Sequence, residues 1–236
     1  MKVSIVVPTY NERKNVKQLI PRIFKVFKEN KIDGNIIVVD DNSPDRTAHT
    51  IKELQNSYLI ILIERPEKMG LGSAYIAGFK KALENGSDVI FEMDADLSHN
   101  PKEIPNFLKK INDGFDVVIG SRRIEGGKSI GWNWYRNLIS WGGSFIGKHI
   151  ARINNVNDIP SGYRAYKKDV LASINLEKIK SSGYAFQLEM LGKCIKLGSK
   201  VDEIPIVFRK RYSGKSKLSV RDEISFFLIA LKSRFS

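Results

Sequence analysis

The chain has 236 residues, 42% of them hydrophobic, enough to bury a full core and better suited to one large α/β domain than to two small ones. Its one cysteine, Cys194, excludes an internal disulfide and favours a reducing compartment. The 39 Lys and Arg against 26 Asp and Glu give a formal charge of +13, which favours anionic partners without choosing among nucleotides, phosphates, acidic membranes and nucleic acid.

Short apolar runs alternate with amphipathic stretches along the chain. The apolar start stops at Pro8, short of the roughly 7–15 residues of a secretory signal, so residues 2–7 read as a first strand. A helix over 12–28 follows, with Val16, Leu19, Ile20, Ile23, Phe24 and Phe27 as its buried stripe. Strand 35–39, a turn at 40–45 and helix 47–55 come next, then strand 58–63, helix 71–85, strand 88–93, helix 101–113 and strand 116–119. The strands lack a polar face, as in a mostly parallel sheet covered on both sides, and repeated strand–helix units imply right-handed crossovers.

In open α/β sheets ligands bind beyond the carboxyl ends of the strands, and the unusual polar clusters of the first half all fall there. They are Pro8–Glu12, Asp40 and Asp41, Gly70–Ser73, Asp94 and Asp96, and Gly120–Arg123. Asp94-Ala95-Asp96 stands out, because two carboxylates one residue apart repel one another unless a cation or donors compensate, and their hard oxygens suit Mg²⁺ or Mn²⁺. Taken alone the pair is also compatible with a solvated, helix-capping turn. Other sites are excluded by spacing. After Gly70 and Gly72 the third position of a dinucleotide fingerprint is Tyr75, and Arg122 and Arg209 stand where a P-loop needs its first glycine. His49, His99 and His149 make no zinc spacing with Cys194, and no nucleophile elbow is present, so the histidines read as surface or loop residues.

Residues 3–12, 38–41, 70–72, 94–99 and 120–122 resemble the inverting GT-A glycosyltransferases of family 2. Within that family, 161–166, 183–189 and 214–218 are similar to the dolichyl-phosphate mannose synthases and their polyprenyl-phosphate relatives, so the resemblance covers nearly the whole chain. It implies a Rossmann-like, mostly parallel sheet flanked by helices, a nucleotide-diphosphate-sugar donor, a divalent metal and a lipid-phosphate acceptor. By position it places Pro8, Tyr10, Glu12, Asp40 and Asp41 around the nucleoside, Asp94 on the ribose and metal side of the diphosphate, and Asp96 on the metal. Where some relatives carry a glutamine ligand this chain has Ser98, a weaker ligand acting directly or through water. Arg211 and Lys217 of the basic loop are implied to close over the diphosphate, whose charge grows as the sugar leaves. An acceptor phosphate monoester, with a second pKa of about 6, needs no general base near neutrality. Arg122 and Arg136 are the candidates to hold it, since a guanidinium fits phosphate oxygens as a fork.

The second half supplies the acceptor side. An aromatic helix from Trp132 to about Arg152, with Trp134, Tyr135, Trp141, Arg136 and Lys148, fits a membrane interface and equally an amphipathic helix on the sheet. The apolar run 224–231 is far shorter than the roughly 18 residues of a spanning helix. The expectation is therefore a catalytic domain over 1–218 and a membrane-proximal amphipathic helix over 219–236. The domain would lie peripherally on the cytoplasmic face of the endoplasmic reticulum or a prokaryotic plasma membrane, with or without an anchoring subunit. The expected reaction moves a hexose, mannose from GDP-mannose first, onto dolichyl or another polyprenyl phosphate. UDP-glucose as donor is the close alternative. A sugar nucleotidyltransferase would need a glycine-rich loop where Pro8-Thr9-Tyr10 stands, and a nucleic-acid-binding module would be repelled by the clustered acids.

Overall fold

The structure, a computed structural model, describes residues 1–131, 153 and 156–209. The expected helix 132–152 and the segments holding Arg136, Arg211, Lys217 and 219–236 lie outside the described residues.

Strands β1 (Lys2–Thr9), β2 (Asp33–Asp40), β3 (Ile60–Glu64), β4 (Val89–Glu92), β5 (Val117–Ser121), β7 (Arg164–Lys167) and β8 (Val201–Pro205) form one sheet in the order β3-β2-β1-β4-β7-β5-β8. Pairing is parallel except where β7 enters antiparallel between β4 and β5. The short strands β6 (Lys128–Ile130) and β9 (Val207–Arg209) pair in parallel as a separate ribbon.

Alternate strand residues feed two cores. Val3, Ile5 and Val7 of β1, with Ile36 and Val38 of β2, pack against α1 (Arg13–Glu29), α2 (Thr47–Leu54) and α4 (Ile104–Asn112). Val6, Ile37 and Val39 face the other way, towards α3 (Leu71–Glu84), α5 (Lys168–Ser173) and α6 (Gly183–Lys196). This is the period-2 rule acting on a sheet buried on both sides. The α1 stripe is as the periodicity predicts, except that Val26 is buried while Phe24 sits at the rim, stacked on Tyr58 at 4.9 Å. The expected helix over 101–113 begins as a 3-10 turn, Pro101–Glu103, with Pro105 in the first turn of α4, where a missing N–H costs no helical hydrogen bond.

Two features of this packing set up the site. The chain leaves β1 for β2 and β3 on one side, then returns through α3 to β4 on the other, so the strand order reverses beside β1 and opens a crevice at the carboxyl ends of β1, β2 and β4. Helix α3 lies hard against β1, because a Cβ on Gly78 would stand 2.2 Å from Val6 Cγ1. At its start a Cβ on Gly72 would stand 2.3 Å from the Ser181 carbonyl, so only glycine lets the two segments meet at the crevice wall.

Candidate active site

The crevice is a cleft of about 220 Å³ lined by the ends of β1, β2 and β4 and the start of α3, including Tyr10, Glu12, Asp41, Lys68, Asp94 and Asp96. On its floor β4 runs out at Glu92 and the chain turns through Asp94-Ala95-Asp96. Asp96 is 4% exposed, and its Oδ1 accepts the Ser98 N–H at 3.0 Å. Leu97 takes a left-handed φ of 65°, which folds the chain back so that His99 Nδ1 accepts the Asp94 N–H at 3.1 Å. Asn100 then caps the 3-10 turn by accepting from Lys102 N at 3.2 Å. The cap is thus Asn100, and neither aspartate is used for it.

The Asp94 carboxylate is aimed from α3. Tyr75 Oη donates to Asp94 Oδ1 at 3.1 Å, and its ring is fully buried between Phe79 and Phe186. Burial, then the nearby charges of Asp94 and Glu92, push the Tyr75 hydroxyl well above its usual range, so it remains a proton donor. The residue that breaks the dinucleotide fingerprint therefore orients the first acid. The Ser98 hydroxyl is buried and has no hydrogen-bond partner among the described residues.

The nucleoside side is built around a second pair of acids, used differently. Asp40 is 1% exposed and accepts from Thr9 Oγ1 at 2.7 Å and from Ser43 N and Oγ at 2.9 and 2.6 Å, tying the β1 and β2 loops together. The structure does not bring Asp40 to the cleft wall. Asp41 does line it, and its carboxylate is paired with Arg65, a residue that the sequence reading missed. Arg65 also donates to Ser73 Oγ at 2.7 Å and the Gly70 carbonyl at 3.1 Å, so one buried guanidinium fixes both the acid and the turn into α3. At the mouth, the Lys68 ammonium lies 4.9 Å from the centre of the Tyr10 ring, and the Glu12 carboxylate accepts from Asn15 Nδ2 at 2.6 Å.

Behind the acidic turn lies a fully buried polar network. Glu92 accepts from Tyr166 Oη at 2.8 Å and Gln187 Nε2 at 2.6 Å. Burial outweighs the nearby Arg164 charge and both hydrogen bonds and raises the Glu92 carboxyl to about 7. Arg164 itself donates to the carbonyls of Ser161, Gln187 and Ile159.

Past β5, Arg122 is bound to a carboxylate that sequence reading also missed. Its Nε and Nη2 donate to Asp158 at 2.7 and 2.6 Å and its backbone N–H at 2.8 Å. Glu203 of β8 accepts the N–H groups of Asn157 and Asp158 at 2.8 and 2.9 Å, fixing the loop that presents Asp158. Arg122 does not line the cleft. Its guanidinium lies 5.3 Å from the Phe208 ring, whose edge meets His99 at 5.5 Å, and the Arg209 N–H reaches the Ser98 carbonyl at 3.3 Å. The root of the basic loop thus sits on the acidic turn, while Arg136, Arg211 and Lys217 lie outside the described residues.

With this geometry in place, similarity to known proteins is informative. The family model for glycosyl transferase family 2 matches residues 4–174. An undecaprenyl-phosphate mannosyltransferase of Micrococcus luteus is 41% identical over 93% of this chain and 88% of its own length. A dolichol-phosphate mannosyltransferase of Pyrococcus furiosus is 42% identical over 92% of this chain, which spans 59% of that longer protein. A polyprenol monophosphomannose synthase of Mycolicibacterium smegmatis is 38% identical over 91% of this chain and 80% of its own length. Among solved structures, glucosyl-3-phosphoglycerate synthase of Mycobacterium tuberculosis, in complex with Mn²⁺, UDP and glucosyl-3-phosphoglycerate, superposes with a TM-score of 0.70 at 17% identity, over 99% of this chain and 79% of that one. The mostly parallel, helix-flanked sheet is that of a GT-A fold, and the chain belongs to glycosyltransferase family 2.

Proposed function

We propose that this enzyme transfers mannose from GDP-mannose to a polyprenyl phosphate, with inversion at the anomeric carbon, at the cytoplasmic surface of a membrane. The observation that carries the reading is identity of 38–42%, over 91–93% of this chain, to three enzymes whose names state mannose and a polyprenyl phosphate. The catalytic unit would span residues 1–218.

The residues of the acidic turn fit a divalent ion. Asp94 and Asp96, which line the cleft, and Ser98, whose buried hydroxyl has no hydrogen-bond partner among the described residues, offer oxygen donors only, the set that suits Mg²⁺ or Mn²⁺, with phosphate and water filling the other positions. The mycobacterial neighbour, whose fold is the same, is crystallised with Mn²⁺ and UDP. Bound here, the ion would offset the charge that builds on the departing nucleoside diphosphate. Arg211 and Lys217 are assigned to the same charge. The nucleoside would lie against Pro8, Tyr10, Glu12 and Asp41, with Asp40 acting from behind by fixing Thr9 and Ser43.

The acceptor needs orientation more than activation, because its phosphate is largely dianionic at neutral pH, its second pKa being about 6. Arg122 and Arg136 are assigned to that phosphate, with Asp158 fixing the plane of the Arg122 guanidinium. Incubation of the purified chain with Mg²⁺, undecaprenyl or dolichyl phosphate and either radiolabelled GDP-mannose or UDP-glucose tests the reading. Label from GDP-mannose should enter the organic phase only when the polyprenyl phosphate is present. Transfer from UDP-glucose alone, or from neither donor, would overturn it.

A further inference from the structure

His99 has no role in the reaction as described so far, yet it is built into the acidic turn with more care than a filler of space requires. It is 2% exposed, and its Nδ1 accepts the backbone N–H of Asp94 at 3.1 Å. That contact requires an Nδ1 without a proton. The ring cannot swing away from it. One face stacks on Tyr163 with centroids 4.8 Å apart and planes 15° apart, and Phe208 presses on it at 5.5 Å and 71°. Tyr163 is in turn fully buried, packs on Phe107 at 4.5 Å, and donates from its hydroxyl to the Asn100 carbonyl at 3.2 Å. The need for an acceptor is plain from the strand. Pairing of β4 with β1 ends at Glu92 opposite Val6, and Met93 N makes the last reach to the Val6 carbonyl at 3.1 Å, so Asp94 N has passed beyond the sheet.

We propose that His99 is a positioning residue for the metal site: through its Nδ1 it fixes the backbone of Asp94, and with it the direction in which the Asp94 carboxylate meets the ion and the donor diphosphate. The proposal rests on the reading of Asp94 and Asp96 as metal ligands. Tyr75 holds the carboxylate by one oxygen and His99 holds the backbone of the same residue. Partners that orient a ligand in this way commonly change metal affinity by about 10- to 100-fold when removed.

The test is a titration of the full chain with Mn²⁺, alone and with GDP, followed by electron paramagnetic resonance, with thermal unfolding recorded beside it. His99→Phe keeps an aromatic ring on Tyr163 and loses the acceptor, so its Mn²⁺ Kd should rise at least about tenfold and its KM for the nucleotide sugar should rise with it. His99→Asn places an oxygen where Nδ1 was and should stay within about threefold of wild type, whereas His99→Gln places it where Nε2 was and should behave as the Phe variant does. The Asn and Gln contrast decides the matter if the Phe variant does not fold. Equal weakening by Asn and Gln, or wild-type Mn²⁺ binding by the Phe variant, would overturn the proposal and make His99 a packing residue. If Mn²⁺ binds wild type and is lost in Asp96→Asn while every His99 variant binds normally, this proposal alone fails. If wild type itself binds no Mn²⁺, the metal reading falls and the proposal with it.

Discussion

A carboxylate at a sheet edge is useful in proportion to how well its direction is fixed, and the four aspartates at the ends of β2 and β4 are fixed by four different means. Asp40 is consumed by three donors from Thr9 and Ser43, Asp41 is matched to Arg65, Asp94 is aimed by Tyr75, and Asp96 is held by the turn it closes on Ser98 N. Their side-chain environments therefore rank them. Asp41 has its charge answered by a buried guanidinium, whereas Asp94 and Asp96 line the cleft together on one turn, where two neighbouring carboxylates favour a cation. It follows that Asp96→Asn should lower kcat/KM by at least about 100-fold, about 3 kcal/mol of transition-state stabilisation. Ser98→Ala should cost no more than about tenfold, since water replaces a neutral ligand. Assays after exhaustive EDTA treatment, with Mg²⁺ or Mn²⁺ restored stepwise, check both. Full turnover without metal would remove the basis for the ranking.

At the scale of elements, β7 is the instructive case. Periodicity locates the first five strands, and the family resemblance draws attention to 161–166, but nothing local reports a strand there. Arg164 is fully buried in it, and its charge is answered by Glu92 on the neighbouring strand, by the Gln187 carbonyl of α6 and by the nearby carbonyls of Ser161 and Ile159. The same reason hides Arg65, Asp158 and Glu203. Each has meaning only through a partner that folding brings up, whereas the Asp-x-Asp spacing is legible because both members sit on one turn. Strands β6 and β9, three residues each, are too short to show alternation. The Arg122–Asp158 pair permits a stability test of this reading. Burial would raise the Asp158 carboxyl, but Arg122 outweighs burial and holds it below its usual value of 3.8. A depressed folded-state pKa means that the pair stabilises the protein fully above that value and is lost as pH falls through the folded one. Asp158→Ala should thus destabilise by about 3–5 kcal/mol at pH 7, because it strands a buried guanidinium. The gap to wild type in urea unfolding should narrow below about pH 4. A gap constant from pH 7 to pH 3 would show that Asp158 acts by packing alone. The same variant should raise KM for lipid phosphate more than for nucleotide sugar if Arg122 meets the acceptor.

At the scale of the whole molecule, the question is how a polar cleft reaches a phosphate whose isoprenoid tail stays in the bilayer. Among the described residues no helix is long and apolar enough to cross a membrane. The formal charge of +13 supplies an attraction to anionic surfaces, and each basic residue near such a surface contributes about 1 kcal/mol. Charge alone gives binding that salt reverses, because exposed charges further apart than about 8 Å are screened at physiological ionic strength. Apolar insertion has to add to it, and the sequence points to Trp132 and Trp134 and to the run 224–231, all outside the described residues. Ile130, exposed at the end of β6, stands two residues before Trp132. The full chain is therefore expected to sediment with anionic vesicles at low salt and to be released by about 0.5 M NaCl, a concentration at which the screening length falls to roughly 4 Å. Trp132→Ala combined with Trp134→Ala, and separately removal of residues after Leu218, should each weaken binding while leaving cooperative thermal unfolding in place. Sedimentation equal on neutral and anionic vesicles, or untouched by both changes, would mean that the aromatic and C-terminal segments pack on the protein, and that the acceptor is delivered to the cleft by some other surface.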